Sequence, residues 1–251
     1  MPYQYKKNVL QAAILTSLLY SCESWFTENL KQMEQMYIGA LKSLLGVRET
    51  TRTDVVLLET GMPTLQELIK KISTAFVKKN INASIDETPL AKVYKMCEAK
   101  STGGYRFIKR MLDNPVDEVL AQVKRKMNNE TGSKAMKYKE INPDLHVHKV
   151  YTSDIYIDER KRVDFTRFRT SSHRLKVETG RWARIELVDR VCDCGRGIQD
   201  ESHAVFDCER TETIRDKYGI NKSLHPTLSQ LMENHDLVQL VDFVHECMRQ
   251  F

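Results

Sequence analysis

The sequence predicts a mainly α fold: a helical bundle followed by a small helical domain organised around a cysteine and histidine cluster. Three observations predict it. Apolar residues recur at three- and four-residue steps along the N-terminal third, the period of one helix face. A further amphipathic pattern, Leu228 to Met248, closes the chain beyond Pro226. One stretch, Cys192 through Cys208, gathers three thiols and an imidazole within 17 residues.

Length and composition bound the rest. A chain of 251 residues makes one large domain or two small ones and buries a substantial core. It is 41% hydrophobic and 29% charged, which excludes a wholly disordered or fibrous chain. The net charge of +5 points only weakly to an anionic partner. Six cysteines are sparse for a disulfide scaffold of this length, and Cys22, Cys97 and Cys247 lie scattered. That distribution favours a reducing compartment, nucleus or cytoplasm, and a metal site.

Taken in order, Val9 to Tyr20 is apolar on most of its circumference, so a helix buried against others is expected. With Lys6 and Lys7 ahead of it, this stretch also mimics a secretory signal. Gln11, Thr16 and Ser17 interrupt it, and it is short for a membrane span of about 20 residues. Trp25 and Phe26 follow, with Thr27 as an N-cap. The next helix carries Leu30, Met33, Tyr37, Leu41, Leu44 and Leu45 on one stripe and closes at Gly46. Thr53-Asp54 begins a short helix, Gly61-Met-Pro63 turns, and Thr64 caps a helix facing Leu65, Leu68, Ile69, Ile72, Phe76 and Val77 inward. Between residues 81 and 150 the pattern weakens to short helical pieces, Leu90–Cys97, Gly104–Leu112 and Val116–Met127, separated by polar linkers. His146 and His148 alternate with Val147 and Val150, which suggests a short extended segment with the imidazoles facing solvent. No internal repeat or low-complexity tract is visible.

Charge concentrates after residue 159. Arg160 to Arg184 holds nine Lys or Arg against Asp164 and Glu178. Phe165, Phe168 and Leu175 are spaced to share a helix face that docks inward, leaving Arg167, Arg169 and Arg174 to point elsewhere. With Lys176, a turn at Gly180, then Arg181, Trp182 and Arg184, this makes a candidate phosphate-binding surface. The arginine fork bonds two phosphate oxygens at once, and Trp182 can stack on an unpaired base. The bland alternative is a solvated charged face with Trp182 in the core.

The cluster itself reads C-x-C-x8-H-x4-C: Cys192, Cys194, His203 and Cys208. Four ligands of these types fill a tetrahedral zinc shell of the structural kind, with no position left for water. Buried or free cysteines beside a chance histidine are the alternative. Cys192 to Gly197 looks like a tight knuckle in which backbone amides donate to sulfur. A helix is expected from His203 to about Lys217. Five residues turn about 140° on an ideal α-helix, so the first turn must distort for both ligands to meet one ion. Beyond Pro226 a last amphipathic helix carries Leu228, Leu231, Leu237, Leu240, Val241, Val244 and Met248.

Two regions carry a family resemblance. Leu18 to Trp25 with Met33 to Arg48 resembles the segment after the polymerase palm in non-LTR (LINE-type) retrotransposon reverse transcriptases. Phe165 to Leu175, Glu178 to Trp182 and Cys192 to Cys208 resemble the C-terminal segment of the same proteins, with its CCHC zinc knuckle. The one-residue gap between Cys192 and Cys194 departs from the commoner two-residue form. The resemblance implies a thumb-like helical segment over 1–80, a helical linker over 81–158, and over 159–251 a basic helix, a zinc knuckle and C-terminal helices. It also implies binding of element RNA or target DNA, and an upstream polymerase domain as partner.

RNA-directed DNA polymerases need adjacent palm aspartates to hold two metal ions, and no Asp-Asp pair occurs in this sequence. No catalytic residue is therefore assigned, and neither a small-molecule substrate nor a membrane partner is expected. The expectation is a zinc-containing nucleic-acid-binding module. The alternative is a zinc-stapled helical module that binds another protein.

Overall fold

The computed structural model describes residues 2–22, 30–79, 89–103, 105, 106, 109, 113 and 118–251. The described residues are mainly helical, and their only β pairing is a single antiparallel bridge between Val191 and Ile198. The chain divides into two compact units that interleave in sequence. One comprises Met1–Lys7, Leu41–Gly61 and Gln122–Phe251; the other comprises Asn8–Ala40 and Met62–Ala121. Among the described residues no helix is long and apolar enough to cross a membrane.

The helices are α1 (Tyr3–Val9), α2 (Lys31–Leu45), α3 (Thr53–Thr60), α4 (Leu65–Val77), α5 (Pro89–Ala99) and α6 (Ala121–Asn129). They continue with α7 (Ser133–Ile141), α8 (Glu159–Arg169), α9 (Lys176–Trp182), α10 (Glu212–Tyr218), α11 (Leu228–Asn234) and α12 (Leu237–Met248). Helix α1 runs on through a π segment, Leu10–Leu15, and a last α turn, Thr16–Leu18. The hydroxyls of Thr16 and Ser17 donate back to the carbonyls of Ala12 and Ala13, a competition that loosens α-helical bonding. Only Leu10, Leu15 and Leu19 are buried along Val9–Tyr20, while Val9 and Ile14 are exposed. The expected all-round burial is thus a narrow stripe.

The smaller unit shows how local chemistry sets element ends. Thr64 and Glu67 form a reciprocal capping box on α4: the Glu67 amide donates to Thr64 Oγ1 at 3.1 Å and the Thr64 amide to Glu67 Oε2 at 2.7 Å. The free carboxylate oxygen of Glu67 accepts from the Leu120 amide at 2.9 Å. Tyr37 donates its hydroxyl to the Pro63 carbonyl at 2.7 Å. The Thr27 cap, Trp25, Phe26 and most of the expected Gly104–Leu112 helix lie outside the described residues.

The larger unit is built on α8 packed against α12, with α10 and the turn from His203 to Asp207 also on α12 and α11 on α7. Phe165 and Phe168 of α8 are fully buried, as are Leu240, Val241, Phe243 and Val244 of α12. Gly46 ends α2 in the left-handed conformation at φ 73°, as its place after Leu45 predicts. The C-terminal helix expected as one piece is two, because the Asp236 carboxylate caps a new start by accepting from the Val238 and Gln239 amides.

At the heart of this unit is a buried polar network. Arg169 forms a bidentate pair with Glu59 of α3, Nε to Oε2 at 3.1 Å and Nη2 to Oε1 at 2.8 Å. The Tyr138 hydroxyl donates to Glu59 Oε1 at 2.9 Å, and Asn142 Nδ2 donates to that hydroxyl at 3.0 Å. Burial by itself raises the Glu59 pKa, but the Arg169 charge and hydrogen bonds outweigh it, so the carboxyl is held below its ordinary value. His148 is also interior, not solvent-facing: its Nε2–H donates to the Met232 carbonyl at 2.9 Å and its Nδ1 accepts from the Val150 amide at 3.1 Å. The segment around it is loop and a 3₁₀ turn, Lys149–Tyr151, and not a strand.

Candidate metal centre and the basic face beside it

A short hairpin supplies the first two thiols. The Cys192 amide donates to the Gly197 carbonyl at 2.8 Å and the Gln199 amide to the Arg190 carbonyl at 2.9 Å, framing the loop Cys192–Ile198. Gly195 and Gly197 both have positive φ, 73° and 147°, so this tight return suits residues without a Cβ. Lys176 fastens the hairpin from outside, its Nζ donating to the Val191 carbonyl at 2.9 Å and to Asp193 Oδ1 at 2.5 Å.

The distortion expected between His203 and Cys208 is present as a π turn over His203–Asp207. The Cys208 amide donates to the His203 carbonyl at 2.8 Å, a bond spanning five residues that brings position 208 back over position 203. The Asp200 carboxylate accepts from the His203 amide at 2.8 Å and fixes where the turn starts. Cys208 then leaves in extended conformation, and α10 begins only at Glu212, so the expected continuous helix from His203 to Lys217 is broken at the ligand.

These two pieces bring Cys192, Cys194, His203 and Cys208 together, with all four ligand atoms within 4.8 Å of one another. The Cys192 and Cys208 sulfurs lie 3.7 Å apart, and Cys194 Sγ is 3.2 Å from His203 Nε2. The cluster can hold a metal ion. Gln199 Nε2 donates to Cys192 Sγ at 3.4 Å while its own carbonyl oxygen accepts from the Lys176 amide at 2.9 Å. Burial raises the Cys192 pKa, but the Cys194 N–H and the Gln199 amide favour the thiolate more and bring it below its ordinary value. Cys208 is pushed up, by burial first and then by its thiol neighbours. Sequence reasoning found the four ligands but not Gln199.

The basic run divides. Arg167 is exposed and donates Nε to the Gly46 carbonyl at 2.8 Å. Arg174 and Arg184 are exposed. Arg181 pairs with Glu178 at 3.0 Å and Lys176 with Asp193, so both charges are partly spent on the fold. Trp182 keeps 49% of its surface in solvent and is not core. Arg169 must be removed from this face: it is 1% exposed and committed to Glu59. The reason is helical spacing. Arg162, Phe165, Thr166 and Arg169 fall at i, i+3, i+4 and i+7 of α8, and all four are buried. Arg162 is likewise interior, paired with Glu159 at 2.6 Å.

Gly180 is inside α9 and not at a turn. A Cβ there would stand 2.8 Å from Arg190 Cγ and 2.9 Å from its Cδ. Arg190 threads through that gap to donate to the Val177 and Ile185 carbonyls, locking the loop that carries the first cysteines. A residue that sequence reasoning missed completes the face: Arg48, just after α2, lays its guanidinium over Trp182 at 3.9 Å from the ring centroid. It lies more than a hundred positions upstream, so no local pattern links the two. Comparison with protein-family models, with curated proteins and with solved structures finds no match to this chain.

Proposed function

We propose that this chain is a nucleic-acid-binding module stapled by a zinc ion, without catalytic function of its own. The observation that carries the zinc assignment is the four-ligand cluster. Three sulfurs and one imidazole nitrogen are the donor set of structural zinc, and a tetrahedron with Zn–S bonds of about 2.3 Å separates its sulfurs by about 3.8 Å. The 3.7 Å between Cys192 and Cys208 fits that spacing. Zinc there would tie the Cys192–Ile198 hairpin to the His203–Cys208 turn, and through Lys176 and Gln199 to α9. Its contribution is to folding and not to chemistry, since no coordination position is left for substrate.

What the staple supports is the face carrying Arg167, Arg174 and Arg184 around the exposed Trp182, joined by Lys176 and Arg181 at its paired edge. Exposed guanidiniums beside an aromatic suit phosphates and unpaired bases. The resemblance of Phe165–Leu175 and Cys192–Cys208 to LINE-type reverse transcriptase C-terminal segments supports the same reading. RNA or DNA is the partner, and binding weakens with salt because phosphate contacts release counterions.

The test is an electrophoretic shift of RNA and DNA across a salt series, with Arg167→Glu and Arg174→Glu as the decisive double variant. Arg169 is unsuitable because its reversal would unfold the core. Binding that falls with salt and is lost in the double variant is the expected result. A salt-independent shift, or no shift, removes the reading. The exposed side chains of Ile185, Leu187 and Val188 favour the second reading, a protein-interaction module; a partner chain retained by the double variant would support it.

A further inference from the structure

Arg48 is in an unusual electrostatic position. It is half-buried, its amide accepts its fold position by donating to Ser172 Oγ at 3.0 Å, and its guanidinium lies flat on Trp182. Among the described residues its Nη1 is sealed from solvent and has no hydrogen-bond partner. Arg167 reaches the same corner through the Gly46 carbonyl, two residues from Arg48. Arg174 follows Ser172 by two residues. The nearby acid, Glu178, is already shared by Lys134 at 2.8 Å and Arg181 at 3.0 Å. Burial and the like charges of Arg167 and Arg174 lower the Arg48 pKa against the pull of Glu178. Asp164 lies 3.9 Å from Arg167, and with Glu178 already paired the three guanidiniums still outnumber the acids beside them, a balance that suits an external anion.

The indole supplies the second half. Arg48 occupies one ring face, yet 49% of Trp182 remains exposed. Exposed surface of Trp182 thus stands beside a cation that polarises the π system. A duplex hides its base faces in the stack, so only an unpaired base can use such a surface.

We infer that Arg48 and Trp182 form a composite platform for single-stranded nucleic acid: an unpaired base stacks on the exposed indole surface, and its phosphate is held by Arg48, Arg167 and Arg174. This rests on the nucleic-acid reading above and adds the strandedness of the ligand and the role of Arg48.

Trp182 is itself the reporter once Trp25 is replaced by Phe, since these are the two tryptophans of the chain. In that background, fluorescence is titrated with an oligothymidylate, an oligouridylate and a blunt duplex of equal length. Both single strands are expected to quench the indole, and the ratio of their affinities tells whether DNA or RNA is preferred. Trp182→Ala should weaken single-strand binding, followed by anisotropy of a labelled oligonucleotide, roughly ten-fold, the scale of one stacked base, with duplex binding unchanged. Trp182→Phe should restore most of it. Arg48→Gln should weaken single-strand binding and reduce the salt slope by about 0.7, one phosphate contact on a single strand. Equal affinity of Trp182→Ala and its parent for single strands, or equal losses on duplex, overturns this inference and leaves nucleic-acid binding standing. No binding by the parent on any probe removes both.

Discussion

Arg169→Met is the sharpest test of where the basic run goes. Arg169 and Glu59 have side-chain exposures of 2% and 0%, joined by two charge-assisted hydrogen bonds at 2.8 and 3.1 Å. Methionine keeps the apolar stem of arginine and lacks only the guanidinium end, so the loss is mainly electrostatic with a smaller packing part. It leaves the Glu59 carboxylate buried with the Tyr138 hydroxyl as its remaining donor among the described residues. Removing one partner of a buried ion pair costs about 3–5 kcal/mol, because the other charge is stranded. Arg167→Met, on the same helix but exposed, should cost below about 1 kcal/mol. Adding Glu59→Leu to Arg169→Met removes the stranded charge and should recover most of the loss. Urea unfolding followed by far-UV circular dichroism measures all four proteins, with midpoint and slope giving each free energy. An Arg169→Met protein within about 1 kcal/mol of Arg167→Met would refute the reasoning and return Arg169 to the surface.

Three other outcomes follow from the same geometry. Zinc content measured by atomic absorption should be near one ion per chain and be lost in Cys208→Ser, while Cys97→Ser keeps it; full zinc in Cys208→Ser would show the wrong ligand set. His148 is buried neutral, its pKa drawn down to about 3 by burial first and then by the Arg169 charge. Its folded value lies below the ordinary value of about 6.5, so it contributes stability above that pH which is lost as pH falls from there toward 3. His148→Gln should flatten the acid limb of a stability-against-pH curve, and an unchanged limb would contradict the burial argument. Gly180→Ala places a methyl against Arg190, whose guanidinium is tied at both ends, and should cost about 1–3 kcal/mol of overpacking. Proteolysis of the 183–191 loop should quicken in that variant, and a wild-type rate would show that Arg190 yields freely.

Much of the helical layout was legible because its signals are local. The Thr64 cap, the Gly46 stop, the Gly61 turn and the Tyr37, Leu41, Leu44, Leu45 stripe depend on residues within a turn or two of one another. The four ligands were legible for the same reason, since their spacing within 17 residues names the donor set before any geometry is known. Even the strain between His203 and Cys208 could be stated in advance from the angle per residue; the structure answers it with a π turn.

The sequence could not assign each arginine to surface or core. Arg167 and Arg169 are near neighbours with the same chemistry, and only the carboxylate of Glu59, contributed by a distant helix, decides that one is interior. His148 turned inward because Met232 offers a carbonyl at the right distance, and Gly180 serves a passing side chain instead of a turn. Arg48 and Trp182 meet through folding alone. The sequence by itself therefore determined the helical class and the identity of a metal-ready cluster, both written in short-range periodicity and ligand type. The tertiary structure decided which charges face water: helical spacing sets Arg169 in line with Phe165, but burial of that charge depends on the carboxylate that packs opposite.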